Sequence, residues 1–302
     1  MQPARSEAAL GAPHPGLVGA DMTRQDADDA GRIRLRFERD GEATRLAELF
    51  QRQPLRALFP DPARGDVPLA ALVNTSGGLV AGDEHRVQAT AGPGARAVLA
   101  AQAAEKVYRA GDGPAGPLSC TVDVDLRAGT DAWLEWLPQE TILFQGARLA
   151  RTTRVHAAPG ARVLAGEMLV LGRLARGERF TSGLLREAWE IRLNGRLAWA
   201  DRMELEGGFG HVLDSPSGFG GATASATLAY VGPDADALLE PLREALSEEG
   251  CRTGATLVGG VLLARWLAED PLALRESFAS AWLFLRSRAG GLPGRMPVFW
   301  NV

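Results

Sequence analysis

The sequence predicts a mainly β fold: a β-helical body of stacked β-layers that carries a small C-terminal part with two helices. Three observations lead to this prediction. Most segments between residues 32 and 231 alternate apolar and polar residues with a period of two, which is typical of half-buried strands. Glycine and proline turns separate these segments. Two stretches near the C-terminus instead have helical periodicity and capping residues.

The first 30 residues are expected to form a disordered extension. They are rich in Ala, Gly, Pro and Asp and show no periodicity. The pattern changes at Arg32, where Ile33, Leu35 and Phe37 fall on one side of a predicted strand. We therefore expect residues 31–302 to form one domain.

Further strands are predicted along most of the chain. The segments with strand patterning are LAALVNT, HRVQAT, RAVLAAQ, LSCTVDVDL, AWLEWL, TTRVHA, RVLAGEMLVL, RLAWADRMEL and ATASATLAYV. The Asn194-Gly195 pair between two of the strands is typical of a two-residue hairpin turn. Near the end of the chain, ATLVGGVLLARWL predicts two short strands around Gly259-Gly260.

Two helices are predicted near the C-terminus. The first covers about residues 234–249, with Asp234 as its N-cap and Gly250 as its stop. The second covers about residues 271–289, with Asp270 as its N-cap and a proline in its first turn.

A weak repeat favours stacked layers. Residues 94–99, 129–134 and 160–164 resemble one another, and each segment is followed by a glutamate that begins an apolar run: Glu105, Glu140 and Glu167. A strand–turn–strand unit that recurs in this way is typical of stacked strand layers. The alternative is that these are ordinary turns, which recur in every β protein.

Composition excludes several classes of function. The formal net charge is −4, so there is no basic field to attract nucleic acid or anionic lipid. Two cysteines far apart indicate reduced thiols rather than a disulfide scaffold. The longest strongly apolar stretch, about residues 257–267, contains Arg265 and is shorter than the ~20 residues that span a bilayer. No signal-peptide pattern opens the chain. We expect a soluble, cytoplasmic protein.

The most distinctive local feature is the glycine-rich segment from Asn74 to Asp83. No Gly-Lys-Ser/Thr sequence follows it, so it is not a phosphate loop. Gly77, Gly78 and Gly82 permit positive φ and close approach of the backbone. Asp83 either caps this turn through its own backbone or lies at a polar site.

The sequence contains no recognisable metal cage or nucleophile motif. The four histidines, His14, His85, His156 and His211, are scattered, and no Cys-x-x-Cys occurs. A tight site built from soft ligands is therefore not expected. A serine nucleophile elbow is also absent.

Several motifs occur in the order and spacing of one known family. They are GGLVAGD, AAEKVYRA, LEWLPQETILFQGARL, GEMLVLGRLARGE and the C-terminal LLARWLAEDPLALRESFASAWLFLRSRAGGLPGRMPVFW. Together they resemble the UreD (UreH) family of urease accessory proteins over about residues 32–300. The chain departs from the family pattern at Ala81, where the family often has glycine, and at Met296-Pro297, where Pro-Arg is frequent.

The resemblance implies a non-enzymatic role in nickel delivery. Members of the family have a β-helical fold with a small helical part and lie in the cytoplasm. They bind the partners UreF and UreG, a GTPase that brings nickel, and dock on apo-urease. Nickel is thought to pass in transit through an internal tunnel, with no tightly bound cofactor.

Two sets of candidate residues follow from the resemblance. Asp83, Glu140 and Glu167 lie in family motifs next to apolar strands, and we expect them to contact nickel transiently. A conduit must release its ion, which scattered carboxylates and water do better than a Cys/His cage. The alternative for each is a surface or arginine-paired carboxylate. The large apolar candidates for the UreF contact are Trp266, Trp282, Leu285 and Phe299, for which the alternative is core packing.

Two other functions remain open from the sequence. A β-helical enzyme acting on carbohydrate would use paired carboxylates. Aromatic residues make up only 6% of the chain, with two tyrosines, which provides few platforms for sugar stacking. A purely structural scaffold without a metal path is the other alternative.

Overall fold

The computed structural model describes residues 30–111, 118–246 and 249–301, and it is mainly β as predicted. The extension predicted for residues 1–30 lies, apart from Ala30, outside the described residues. No helix in the described part of the chain has both the length and the apolar character needed to cross a membrane.

The described residues form strands β1 to β17 and three α-helices. The strands are β1 (Gly31–Asp40), β2 (Ala43–Arg52), β3 (Leu55–Leu58), β4 (Leu69–Asn74), β5 (Glu84–Ala91), β6 (Arg96–Ala101), β7 (Glu105–Val107), β8 (Cys120–Ala128), β9 (Trp133–Leu137), β10 (Thr141–Leu143), β11 (Arg148–Ala157), β12 (Arg162–Leu171), β13 (Ser182–Leu193), β14 (Arg196–Gly208), β15 (Ala224–Val231), β16 (Cys251–Val258) and β17 (Val261–Ala268). The helices are α1 (Gly210–Asp214), α2 (Leu239–Ala245) and α3 (Pro271–Gly290), with short 3₁₀ turns at Leu174–Arg176 and Val298–Asn301.

The strands form two large sheets. Sheet A has the order β14-β13-β11-β8-β5-β1-β2, and sheet B has the order β16-β17-β15-β12-β9-β6-β4-β3. The middle of the chain alternates between the sheets, from β5 to β6, β8 to β9 and β11 to β12, so that successive strands within each sheet lie parallel. The short strands β7 and β10 also belong to sheet B, where β10 pairs with both β7 and β12. Both sheets are open and end in antiparallel strands, so the stricter prediction of a β-helix is not confirmed.

The weak repeat corresponds to stacked turns, but its register differs from the one read from the sequence. Arg96 and Arg162 each pair with Trp133, so Gly94, Asp131 and Gly160 are equivalent. All three have positive φ, at 65°, 57° and 71°. The sequence resemblance aligns Gly129 with Gly94, whereas the equivalent residue is Asp131, an aspartate that adopts this conformation.

The pairing of β7, β10 and β12 corrects a second part of the repeat. Glu105 pairs with Thr141, and Thr141 pairs with Leu169. Glu140 and Glu167 therefore do not occupy related positions in successive layers. Since side chains alternate along a strand, Glu105, Thr141 and Glu167 fall on one face of sheet B and Glu140 on the other.

The burial pattern of each sheet explains its sequence pattern. Sheet A is covered on one face, so β11 alternates between buried and partly exposed residues. Sheet B is covered on both faces, by sheet A and by the helices, so β9 is buried throughout. In β6, Ala97 and Leu99 pack between the sheets, while Val98 and Ala100 pack towards the helices.

The turn predictions are confirmed. Asn194 and Gly195 have φ of 52° and 79° at the hairpin between β13 and β14, and Gly259 and Gly260 connect β16 to β17. The second predicted helix is also confirmed, because the Asp270 side chain accepts a hydrogen bond from the Leu272 N–H at 3.0 Å.

The first predicted helix is shorter than expected. Helix α2 begins at Leu239, and its cap residue, Leu238, makes no side-chain hydrogen bond. Asp234 does not cap the helix, because its Oδ1 accepts a hydrogen bond from the Tyr230 hydroxyl at 2.6 Å. The competing side-chain contact explains why the helix does not start at Asp234.

A buried carboxylate fixes α3 against sheet B. Glu135 of β9 is fully buried, with 0% of its surface exposed. Its two oxygens accept hydrogen bonds from Trp133 Nε1 at 2.7 Å, Arg286 Nε at 2.9 and 3.0 Å, and Trp282 Nε1 at 3.1 Å. Arg286 also binds Asp66, so one guanidinium connects the helix, the sheet and the loop before β4.

Three of the four residues predicted to contact UreF lie in the core. Trp266, Trp282 and Leu285 are buried between sheet B and the helices, and Phe299 is partly buried. The sequence showed their apolar character but not that α3 and sheet B bury them together. The folded chain therefore offers no apolar surface from the first three to a partner.

The Glu135 site yields a test of the fold. Glu135→Leu removes the carboxylate that partners Arg286 and two indole N–H groups. We expect the free energy of unfolding to fall by about 3–5 kcal/mol, because a buried charge is left with too little compensation. Urea unfolding measures the change. Glu240→Ala, which breaks an exposed pair with Arg243, is the control and should change stability by less than about 1 kcal/mol. Equal effects from the two variants would contradict this assignment.

Candidate functional site

A cavity of about 340 Å³ lies between the two sheets. Most of its wall is apolar, including Ile33, Val87 and Leu149 of sheet A and Leu72 and Trp136 of sheet B. Its polar lining comprises Asn74, His85, Gln102, Glu105, Lys106, Gln139, Thr141, Arg151 and Glu167. Of these residues, Gln102 and Lys106 are exposed and mark the rim.

A belt of buried polar side chains crosses the space between the sheets at the cavity. The polar belt consists of Thr141, Arg151, Thr153, Glu167 and Glu187, all buried. It lies where one apolar cluster between the sheets gives way to another. Along β11, for example, Leu149 belongs to one cluster and Val155 to the other, with two members of the belt between them.

Arg151 is the centre of the polar belt. Its Nε donates to Glu187 Oε2 at 3.0 Å, and its Nη1 donates to Thr141 Oγ1 at 2.9 Å. Its Nη2 lies 2.9 Å from Glu167 Oε2, and Thr153 Oγ1 donates to the other Glu167 oxygen at 2.5 Å. One guanidinium therefore connects sheet A to β10 and β12.

The polar belt has an excess of acidic groups. Two buried carboxylates, Glu167 and Glu187, share the single cation Arg151. Burial raises the pKa of Glu187 well above its ordinary value, and Glu167 adds to this effect while Arg151 opposes it. Glu187 Oε1 has no hydrogen-bond partner among the described residues. Such groups in proteins are normally satisfied by water or an ion.

Glu105 is a second acidic group in the cavity. Asn74 Nδ2 donates to both of its oxygens, at 3.1 and 3.2 Å. Burial raises the pKa of Glu105 to about 7, against the opposing effect of the Asn74 hydrogen bond. This carboxyl group therefore exchanges its proton near neutral pH.

The glycine-rich segment holds Asn74 and Glu105 in place. Gly78 has φ of 149°, and a Cβ there would lie 2.7 Å from the Lys106 carbonyl oxygen. The absence of a Cβ at Gly78 lets the Leu79 N–H donate to that oxygen at 2.7 Å. This hydrogen bond attaches the segment to β7 beside Glu105. Gly77 and Gly82 also have positive φ, at 79° and 91°, in agreement with the predicted turn.

Asp83 caps the glycine-rich turn. Its Oδ2 accepts a hydrogen bond from Val80 N–H at 2.8 Å, and its own N–H donates to Val80 O at 3.0 Å. It also lines a second cavity of about 260 Å³, which adjoins the start of β1. His85 lines both cavities. Asp83 is thus outside the larger cavity but close to it.

Glu140 points away from both cavities. Each of its oxygens lies 2.6 Å from Arg275 Nη1 of α3. Arg275 also donates to the Trp300 carbonyl oxygen and lies over the Trp300 ring, 4.5 Å from its centroid. This is the arginine-paired alternative considered from the sequence. Of the three candidate nickel residues, only Glu167 lines the larger cavity.

Comparison with known proteins identifies the family. The model of the UreD urease accessory protein family matches residues 29–301. The chain belongs to the UreD family. It is 41% identical over 277 residues to "Urease accessory protein UreD" of Magnetococcus marinus, a match that covers 90% of this chain and 94% of the relative. It is 43% identical over 274 residues to the protein of the same name from Xanthobacter autotrophicus, covering 90% and 92%. "Urease accessory protein UreD 1" of Methylobacterium radiotolerans is 42% identical over 296 residues, covering 96% and 97%.

The interior of this UreD-family chain includes residues that the sequence analysis did not select. Arg151 and Glu187 were not considered, and Glu105 was set beside the repeat but not chosen. The sequence does contain a signal for the first two: period-two alternation puts Arg151 on the same face as Leu149 and Val155, and Glu187 on the same face as Leu185 and Trp189. In the described residues, no group of three or more His, Cys, Asp or Glu side chains is arranged to hold a metal.

The raised pKa of Glu105 predicts a pH-dependent difference in stability. The proton is bound more tightly in the folded chain, so the stability that it contributes is complete below about pH 4.5 and is lost as the pH rises through about 7. Glu105→Gln does not titrate. We expect the free energy of unfolding of the variant to exceed that of the parent by about 1–3 kcal/mol at pH 8. Below about pH 4.5 we expect the variant to have no such advantage. Urea unfolding at several pH values measures the difference, and a constant difference would contradict the assignment.

Proposed function

We propose that this UreD-family chain helps to activate urease by letting nickel pass through the cavity between its sheets. Membership of a urease accessory protein family supports the general role. The observation that supports the passage is the pair of acidic residues, Glu105 and Glu167, in an otherwise mostly apolar interior.

The chemistry of the cavity suits a transient cation. Nickel accepts carboxylate, imidazole and water ligands, and a few such groups hold it only weakly. The excess of carboxylates over Arg151 gives the interior a negative charge when they are ionised. The unpartnered oxygen of Glu187 favours water inside the protein, because burying such a group dry is costly. A hydrated, acidic interior is the property that a conduit needs.

The partners in this proposal are UreF, the GTPase UreG and apo-urease. A passage in one protein has a use only if other proteins load and receive the ion. Since Trp266, Trp282 and Leu285 are buried, a UreF contact with the helical region would use exposed side chains instead. Among the described residues of that region, Leu272, at the start of α3, and Val298, which is 87% exposed, are large apolar side chains that are exposed. Both cysteines are unpaired, which suits the proposed cytoplasmic location.

A scaffold without a metal path is the principal competing function. It requires the same partners and the same fold but gives no role to the charges of the polar belt. Sugar chemistry has less support, since Trp136 is the single aromatic residue among the described residues that line the cavity.

Glu167→Gln separates the conduit from the scaffold. The amide keeps the size of the side chain and removes its charge, and Arg151 keeps Glu187 as a partner. We therefore expect stability to be unchanged or increased. We expect urease activation at limiting nickel to fall by about 10-fold or more, as ligand-shell changes commonly do in metal sites. The measurement is urease activity after incubation of apo-urease with the assembled accessory complex.

The control is Glu204→Gln, which removes a carboxylate from an exposed pair with Arg186. It should activate urease as the parent does. Co-purification must show that both variants assemble with UreF and UreG. If assembled Glu167→Gln activates urease normally at limiting nickel, the scaffold is the better account.

A further inference from the structure

His85 has an unusual position between the two cavities. It is the first inward-facing residue of β5 and is 4% exposed. It lines the cavity between the sheets and also the smaller one that contains Asp83, Glu84 and Pro54. It is therefore the side chain that the two cavities share.

The imidazole of His85 is packed without a partner for one of its nitrogens. Nε2 is buried and makes no hydrogen bond with the described residues. The ring lies against the backbone of Gly31, where an added Cβ would be 3.0 Å from His85 Cδ2. A buried polar atom without a partner costs free energy, so this ring position persists only because the packing around it is favourable.

The unpartnered nitrogen is also a candidate metal ligand. A neutral imidazole has a nitrogen lone pair, which is what a borderline metal ion binds. Both cavities that the ring borders contain carboxyl groups, Asp83 and Glu84 in the small one and Glu105 and Glu167 in the large one.

We propose that His85 is the gate between the two cavities and that its imidazole binds nickel briefly as the ion crosses. This proposal rests on the proposed function, since it assigns one residue to the nickel passage. In the closed position the ring separates the small cavity beside Asp83 from the large cavity with Glu105 and Glu167. Turning the ring both opens the junction and presents a ligand.

His85→Phe is the variant that distinguishes a gate from a packing residue. Phenylalanine fills a similar space, has no nitrogen to leave unsatisfied and offers no ligand. We expect a melting temperature equal to or above that of the parent. Urease activation by the complete accessory complex at limiting nickel should nevertheless fall by about 10-fold or more. His85→Ala, which opens the junction but lacks the ligand, should retain more activity than His85→Phe.

His156→Phe is the matched control. His156 faces outwards from sheet A beside Asp125 and lines neither cavity. This variant should activate urease as the parent does. If His85→Phe also activates urease normally while Glu167→Gln is impaired, the passage stands and the gate is overturned. If both activate urease normally, the proposed function fails as well.

Discussion

The interior of this protein depends on one cation held between two carboxylates. Arg151 connects Glu187 on the neighbouring strand of sheet A to Glu167 in sheet B, so it joins the sheets at the point where their apolar packing is interrupted. Apolar side chains of similar volume often give equal or greater stability than a buried ion pair. The polar belt is therefore poorly explained as a device for stability alone. The proposed passage for a charged ion would give a reason for keeping charges in that place.

The remaining features of the site fit around this constraint. The glycine-rich turn fixes Asn74, which in turn holds Glu105 at the edge of the cavity. The second buried ion pair, between Glu135 and Arg286, lies on the opposite face of sheet B and fixes α3. The pair of Arg151 and Glu167 faces a cavity with exposed rim residues. By contrast, the four hydrogen bonds to Glu135 leave neither of its oxygens free. This difference distinguishes the ion pair that faces the cavity from the one that fixes α3.

Much of the fold was predictable because it depends on local patterns. Period-two alternation identified the strands, Asn194-Gly195 the hairpin and Asp270 the start of α3. The first predicted helix forms but begins later than predicted, because Asp234 bonds to Tyr230 instead of capping a helix terminus. The register of the repeat failed because Asp131 occupies a conformation expected of glycine. The candidate site was only partly predictable: Glu167 and Glu140 look alike in sequence, and only strand pairing shows which one faces the cavity.

The proposed passage requires nickel to enter the space between the sheets. Diffraction from nickel-soaked crystals of the accessory complex, recorded on both sides of the nickel absorption edge, tests it directly. The account predicts an anomalous peak inside the cavity within bonding distance of a Glu105 or Glu167 oxygen, and loss of that peak when both residues are glutamine. Nickel found only at surface side chains, with the cavity free of both nickel and water, would contradict it.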